Sequence, residues 1–180
     1  MNGGYGQLPA GPYLNSPQYT ITAWVLPQNV ILPYARVIEF SNGCHNNSVT
    51  LLFDQNMTPW SPKLEMYDLS AYQYQLSATL NLTNGLWQHL AVTYDGTQMR
   101  FYLNAILLQT SGTISYAMPL GVRTDNFIGG TPCQFTGVSS SYVDDIRVYG
   151  TSLSQSQIND VMMSNETNFN TSICQASKLN

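Results

Sequence analysis

Leu86-Trp-Gln-His-Leu-Ala-Val-Thr-Tyr-Asp-Gly96 decides the fold class. Trp87 to Tyr94 is rich in aromatic and β-branched residues, which favour a pleated strand. It stops at Asp95-Gly96, a pair suited to the positive φ angles of a tight hairpin turn. Gln98 to Leu108 resumes beyond the turn, with the turn-prone Asn104 in its middle. Similar runs recur on either side. Tyr19 to Val25 alternates Ile21 with Thr20 and Thr22. Arg36 to Phe40 is stopped by Ser41-Asn42-Gly43. Ser48 to Phe53 follows, then two neighbouring runs, Lys63 to Leu69 and Tyr72 to Leu80. Asn126 to Gly130 and Tyr142 to Tyr149 complete the set. Nine or ten short strands with turn signals between them predict an all-β sandwich.

One short helix is expected near the end of the chain. Ser154 is placed to cap it, with Gln157 in the capping-box position. Ile158, Val161 and Met162 form its apolar stripe. Residues 1–18 are rich in Gly, Pro, Tyr and Asn and predict an extended N-terminal arm. Residues 19–163 predict the sandwich domain. Residues 164–180 are polar and predict a tail or linker.

A chain of 180 residues can bury a full core without metal or disulfide. Its apolar fraction of 43% excludes disorder, but only 9% of residues are charged. Six basic residues and a net charge of −4 argue against nucleic acid and against anionic membrane surfaces. No apolar run is long enough to span a bilayer. Met1 to Gln7 lacks the basic and apolar regions of a signal peptide, so secretion would require a mature form or a fragment.

Five Asn-X-Ser/Thr sequons begin at Asn46, Asn56, Asn81, Asn165 and Asn170. With so few charges to hydrate the surface, they predict a glycosylated extracellular protein. There are three cysteines, Cys44, Cys133 and Cys174. None forms a Cys-x-x-Cys pair, and His45 and His89 complete no zinc spacing. In an oxidising compartment two would pair and one would remain for an intermolecular bridge. In a reducing cell all three would stay thiols.

Six phrases, in order, resemble one family. Thr20-Ile-Thr-Ala-Trp-Val25 is similar to its FTISAWV strand, and Ala35-Arg-Val-Ile-Glu-Phe-Ser-Asn-Gly43 to ARIIDFGNG. The opening stretch is similar to TWHHVAVTYDG, and Phe101-Tyr-Leu-Asn104 to LYVNG. Arg123-Thr-Asp-Asn-Phe-Ile-Gly129 resembles RTNNYIG. Val143-Asp-Asp-Ile-Arg-Val-Tyr149 with Leu153-Ser154 resembles IDDVRIYNRALS. These are marks of the laminin-G-like, concanavalin A-like jelly roll, from about Tyr19 to about Val161. The resemblance implies two packed antiparallel sheets and an extracellular setting. It also implies core positions for Trp24 and Trp87. Two places depart from the pattern. Asn104-Ala105 stands where the family has Asn-Gly, and Gly129-Gly-Thr-Pro-Cys133 replaces a Trp-bearing loop. In the family that loop and the one holding Cys44 lie at the same end, so the resemblance implies a Cys44–Cys133 disulfide. Cys174 is then left unpaired or intermolecular.

The same fold hosts glycoside hydrolases, which need two carboxylates flanking one sugar bond. Here the acids are scattered. The nearest groups, Glu65 with Asp68 and Asp144 with Asp145, have the wrong parity for one strand face. There is no Gly-x-Ser-x-Gly, so no catalytic residue is assigned. Asp144 falls by alternation on the face of Ile146 and Val148, which reads as buried. A hydrogen bond to His89 or Trp87 would satisfy it, or a structural calcium ion would. No other cofactor is indicated. Trp60, in a Pro-bounded loop, and Tyr72 and Tyr74, on one strand face, are the candidate ligand-binding aromatics.

The expectation is a non-catalytic extracellular glycoprotein module acting through protein–protein contacts. Its partners would be other subunits, copies of itself among them, in an adhesive or fibrous surface assembly. The alternative is a carbohydrate-binding lectin module, with or without calcium.

Overall fold

The structure, a computed structural model, describes residues 4–28, 34–54, 61–114, 120–133 and 141–167. Among the described residues, eleven strands precede one helix. They are β1 (Gly6–Leu8), β2 (Tyr19–Leu26), β3 (Arg36–Ser41), β4 (Ser48–Asp54), β5 (Ser61–Tyr67) and β6 (Gln73–Ser77). After them come β7 (Gln88–Tyr94), β8 (Met99–Leu103), β9 (Ile106–Thr110), β10 (Asp125–Ile128), β11 (Tyr142–Tyr149) and α1 (Gln155–Thr167). They form a six-stranded sheet ordered β1-β10-β3-β4-β5-β6 and a five-stranded sheet ordered β11-β2-β7-β8-β9. All pairings are antiparallel.

The core fills the space between the inner faces. Ile21, Val92 and Phe101 form one cross-strand row, and Val49, Met66 and Tyr74 face them from the other sheet. Each fully buried aliphatic or aromatic side chain contributes roughly 1.5–3 kcal/mol through lost water contact.

Residues 4–18 are woven into the sandwich. β1 adds an edge to the six-stranded sheet, Tyr13 stacks on Phe40 at 5.1 Å, and Leu14 is buried. The run read as one strand from Gln98 splits at Asn104-Ala105. Both residues sit at positive φ, 48° and 61°, the two left-handed positions of a tight hairpin. The Asn104 side chain accepts from the His89 backbone N–H at 2.9 Å, which helps hold the turn.

α1 is capped as its sequence dictates. The Gln157 amide donates to Ser154 Oγ at 3.3 Å, and the Ser154 amide donates to Gln157 Oε1 at 2.9 Å. Ile158, Val161 and Met162 pack with Ala91, Tyr102 and Ala105 on the outer face of the five-stranded sheet. The helix runs on to Thr167, past the expected domain end at 163.

Two core assignments are corrected. Trp24 pairs opposite His89 on the outer face of the five-stranded sheet, where it is only half buried. Trp87 precedes β7 and is exposed. Strand parity explains the first, since Ile21, Ala23 and Val25 take the inner face.

Candidate functional site

The outer face of the six-stranded sheet carries a polar row from β3 to β6, with Phe127 at its β10 end. The register aligns Phe127, Glu39, Thr50, Glu65 and Gln75 across β10, β3, β4, β5 and β6. A second row aligns Ser48, Tyr67 and Gln73. Glu39, Thr50 and Glu65 are buried, an unusual state for an outward-facing sheet.

A strap covers part of this face. Gly129 still donates to the Val37 carbonyl at 3.0 Å. Thr131 then hydrogen-bonds Glu39, and Cys133 bonds to Cys44, which follows the opposite end of β3. Residues 129–133 therefore double back over the sheet. The Cys44–Cys133 disulfide, with Cα atoms 4.9 Å apart, pins the far end. Gly130 lies against Tyr5, where a Cβ would meet that side chain at 2.9 Å. Tyr5 in turn packs edge-on to Phe127.

The buried charges are paired. Arg36 Nε donates to Glu39 Oε2 at 3.3 Å, and Lys63 Nζ lies 2.8 Å from Glu65 Oε1. Gln73 Nε2 donates to the same Glu65 oxygen at 2.9 Å. Burial pushes the Glu39 carboxyl above the usual carboxylate range, against the pull of Arg36. Glu39 and Glu65 thus each have a cation beside them. Toward β6 the face opens. Gln73 and Gln75 are exposed. The His45 ring stacks on Tyr67 with centroids 4.4 Å apart and planes at 19°. Burial, then the nearby Glu65, raises the Tyr67 hydroxyl to about 12, so it stays a protonated donor.

Tyr72 and Tyr74 touch, with centroids 4.9 Å apart. Tyr72 is exposed at the turn into β6, whereas Tyr74 packs inward on the core. Trp60, Asn56, Asn170 and Cys174 lie outside the described residues, as does the side chain of Asn165. Asn46 and Asn81 are exposed, the former in the turn that holds Cys44 and His45.

Asp144 is corrected. A β-bulge between Asp144 and Arg147, with Asp145 at φ 45°, shifts the parity of β11. Val143 and Ile146 pack inward while Asp144 is exposed, its Oδ1 accepting the Asp145 N–H at 2.8 Å. One exposed carboxylate does not fit a calcium site, and among the described residues no group of three acidic side chains converges there. The proposed hydrogen bond to His89 or Trp87 is replaced by this local one.

His89 is fully buried beside Trp24, and neither of its ring nitrogens has a hydrogen-bond partner. Burial lowers its pKa from 6.5 to about 4, with Asp145 opposing and Arg147 reinforcing the shift. The unfolded chain therefore takes up the proton first. The stability contribution is complete above about pH 6.5 and is lost as pH falls toward 4, by up to about 3 kcal/mol. Urea unfolding between pH 7 and 4 should show this slope, and His89→Phe should flatten it. An equal slope in both proteins would exclude His89 as the cause.

The sequence pattern described as the concanavalin A-like lectin/glucanases superfamily (Laminin_G_3) matches residues 1–159. The chain belongs to this superfamily. Among solved structures, this concanavalin A-like domain is similar to domain 4 of AbnA, a GH43 extracellular arabinanase from Geobacillus stearothermophilus, solved with arabinotriose. The TM-score is 0.71 and the identity 21%, covering 89% of this chain and 74% of that one. It is also similar to the receptor-binding domain of botulinum neurotoxin C/D mosaic serotype, with TM-score 0.63 and 13% identity, over 84% of this chain and 37% of that one. The binding domain of botulinum neurotoxin serotype G gives TM-score 0.66 at 12% identity, over 93% of this chain and 42% of that one. The chain thus spans less than half of either toxin domain. No curated protein matches the sequence. No helix among the described residues is long and apolar enough to cross a membrane.

The sequence pointed to Tyr72 and Tyr74 but missed Tyr67, His45, Gln73 and Glu65. The alternation of Lys63, Glu65 and Tyr67 was the available signal, since it sets three polar or amphipathic side chains on one strand face.

Proposed function

We infer that this domain is a non-catalytic carbohydrate-binding module, and that the open part of the six-stranded face holds the sugar. The stacked Tyr67–His45 pair beside Gln73 and Gln75 carries this reading. Aromatic rings offer a plane to the apolar face of a pyranose or furanose. Side-chain amides offer both a donor and an acceptor to hydroxyls. The pairing of Glu39 with Arg36 and of Glu65 with Lys63 suits a neutral saccharide. The arabinotriose complex of a domain with the same fold supports the choice of first ligand. The disulfide and the exposed sequons at Asn46 and Asn81 support an extracellular, glycosylated setting.

A second reading, contact with other protein subunits, is favoured by β9. This sheet edge leaves Ile106 62% exposed and Leu107 42% exposed, and among the described residues no strand pairs beyond it, as strand addition requires.

One experiment separates the two. The full chain is screened on a glycan array and titrated with neutral oligosaccharides, arabinotriose first, with and without a chelator. Tyr67→Ala and Gln73→Ala should each weaken binding about tenfold or more, a loss of about 1.4 kcal/mol. Chelation should change nothing, because Asp144 lies on the other sheet. An oligomeric protein that binds no saccharide would replace the carbohydrate reading with the subunit one.

A further inference from the structure

The fold assembles a metal-ligand set that the sequence separates. Cys44 and His45 are adjacent, and Cys133 arrives on the strap 89 residues from Cys44. The ligand atoms of these three residues, both Sγ and an imidazole nitrogen, all lie within 4.8 Å of one another. Read along the chain, a lone Cys-His pair has no zinc spacing. Brought together by the strap, it becomes two sulfurs and an imidazole converging on one point.

We propose that reduction of the Cys44–Cys133 disulfide turns this corner into a zinc site, with Cys44, His45 and Cys133 as ligands and solvent as the fourth. A dithiol gives two electrons and two protons to the S–S bond and leaves as its own disulfide. The two thiols formed then release their protons to become ligands as zinc binds. Two thiolates and an imidazole are the donor set of three-ligand zinc centres, which keep their fourth position open. Bonds of about 2.3 Å to sulfur in a tetrahedron place the two sulfurs about 3.8 Å apart. Reduction frees the two sulfurs to take that separation. Both cysteines lie outside the strands, Cys44 in an exposed turn, so the movement falls on segments that carry no ladder bonds. His45 is exposed and its ring sits flat on Tyr67, which limits the directions its nitrogens take. The metal would hold the strap over Glu39 in the reduced protein as the disulfide does in the oxidised one.

The test uses the full chain carrying Cys174→Ser, which removes the remaining thiol. The protein is reduced with a dithiol, desalted without oxygen and titrated with cobalt(II) as the optical probe for zinc. One equivalent should bind, with a near-ultraviolet thiolate charge-transfer band and tetrahedral visible bands, and one equivalent of zinc should displace it. The oxidised protein should show neither band. His45→Ala should weaken cobalt binding at least tenfold, and zinc should raise the melting temperature of the reduced parent. A reduced protein with no thiolate band and no thermal gain from zinc would overturn the assignment. So would equal binding by the oxidised protein, or by His45→Ala.

Discussion

Replacing Cys44 and Cys133 together with serine will lower the melting temperature by roughly 10–18 °C. The bridge closes a loop of 89 residues. The chain-entropy relation assigns a loop of that size about 4–5 kcal/mol at 25 °C, through the freedom it denies the unfolded chain. For a domain of about this length, each kcal/mol moves the midpoint by about 2–4 °C. The double variant should still fold, because the inter-sheet core contains neither cysteine. Thermal unfolding followed by circular dichroism, oxidised parent against variant, reads the shift. A change below about 3 °C would mean that the strap is held by Thr131, Tyr5 and its other contacts, and that the unfolded chain is already compact.

The second large effect is expected at Arg123. Its side chain is wholly buried and reaches acceptors on two other segments. It donates to the Tyr13 carbonyl, to the Asn47 carbonyl at 3.2 Å and to Asn47 Oδ1 at 3.2 Å. Its own backbone bridges Gly11 in both directions. One guanidinium thus joins the N-terminal segment, the turn after Cys44 and the approach to β10. Arg123→Met keeps the volume but strands the acceptors, which should cost about 3–5 kcal/mol. Arg123→Lys should recover little, because a single ammonium cannot span the same fork. Urea denaturation of both variants checks this. Full recovery by lysine would show that the charge matters and the geometry does not.

Much of the architecture was legible because it is local. Alternation in Tyr19 to Val25, the Asp95-Gly96 turn and the Ser154–Gln157 cap each act within a few residues, and each appears where its sequence placed it. Asp144 was misplaced because a period of two assumes an unbroken strand. The extra residue at Asp145 reverses every side chain before it. β1 escaped notice because three residues among glycines and prolines show no pattern of their own, and only the β10 edge makes them a strand. The polar row was hidden for a deeper reason. Glu39, Thr50, Glu65 and Gln75 meet through three strand registers, and register belongs to the pairing and not to any one segment. Each acid looked isolated in sequence and acquired neighbours only across the sheet. The strap adds a further non-local step, bringing Thr131 over Glu39 from far along the chain.

The position of the cross-link has a consequence for resistance to proteolysis. Strands β4 to β10 all lie between Cys44 and Cys133. A protease that cuts a single turn within that span, at Ser70 or Gly112 for example, opens a ring without parting the molecule. Both halves stay tethered, and the nicked protein can close again around the same core. Only a cut outside the ring, or a second cut within it, sheds a fragment.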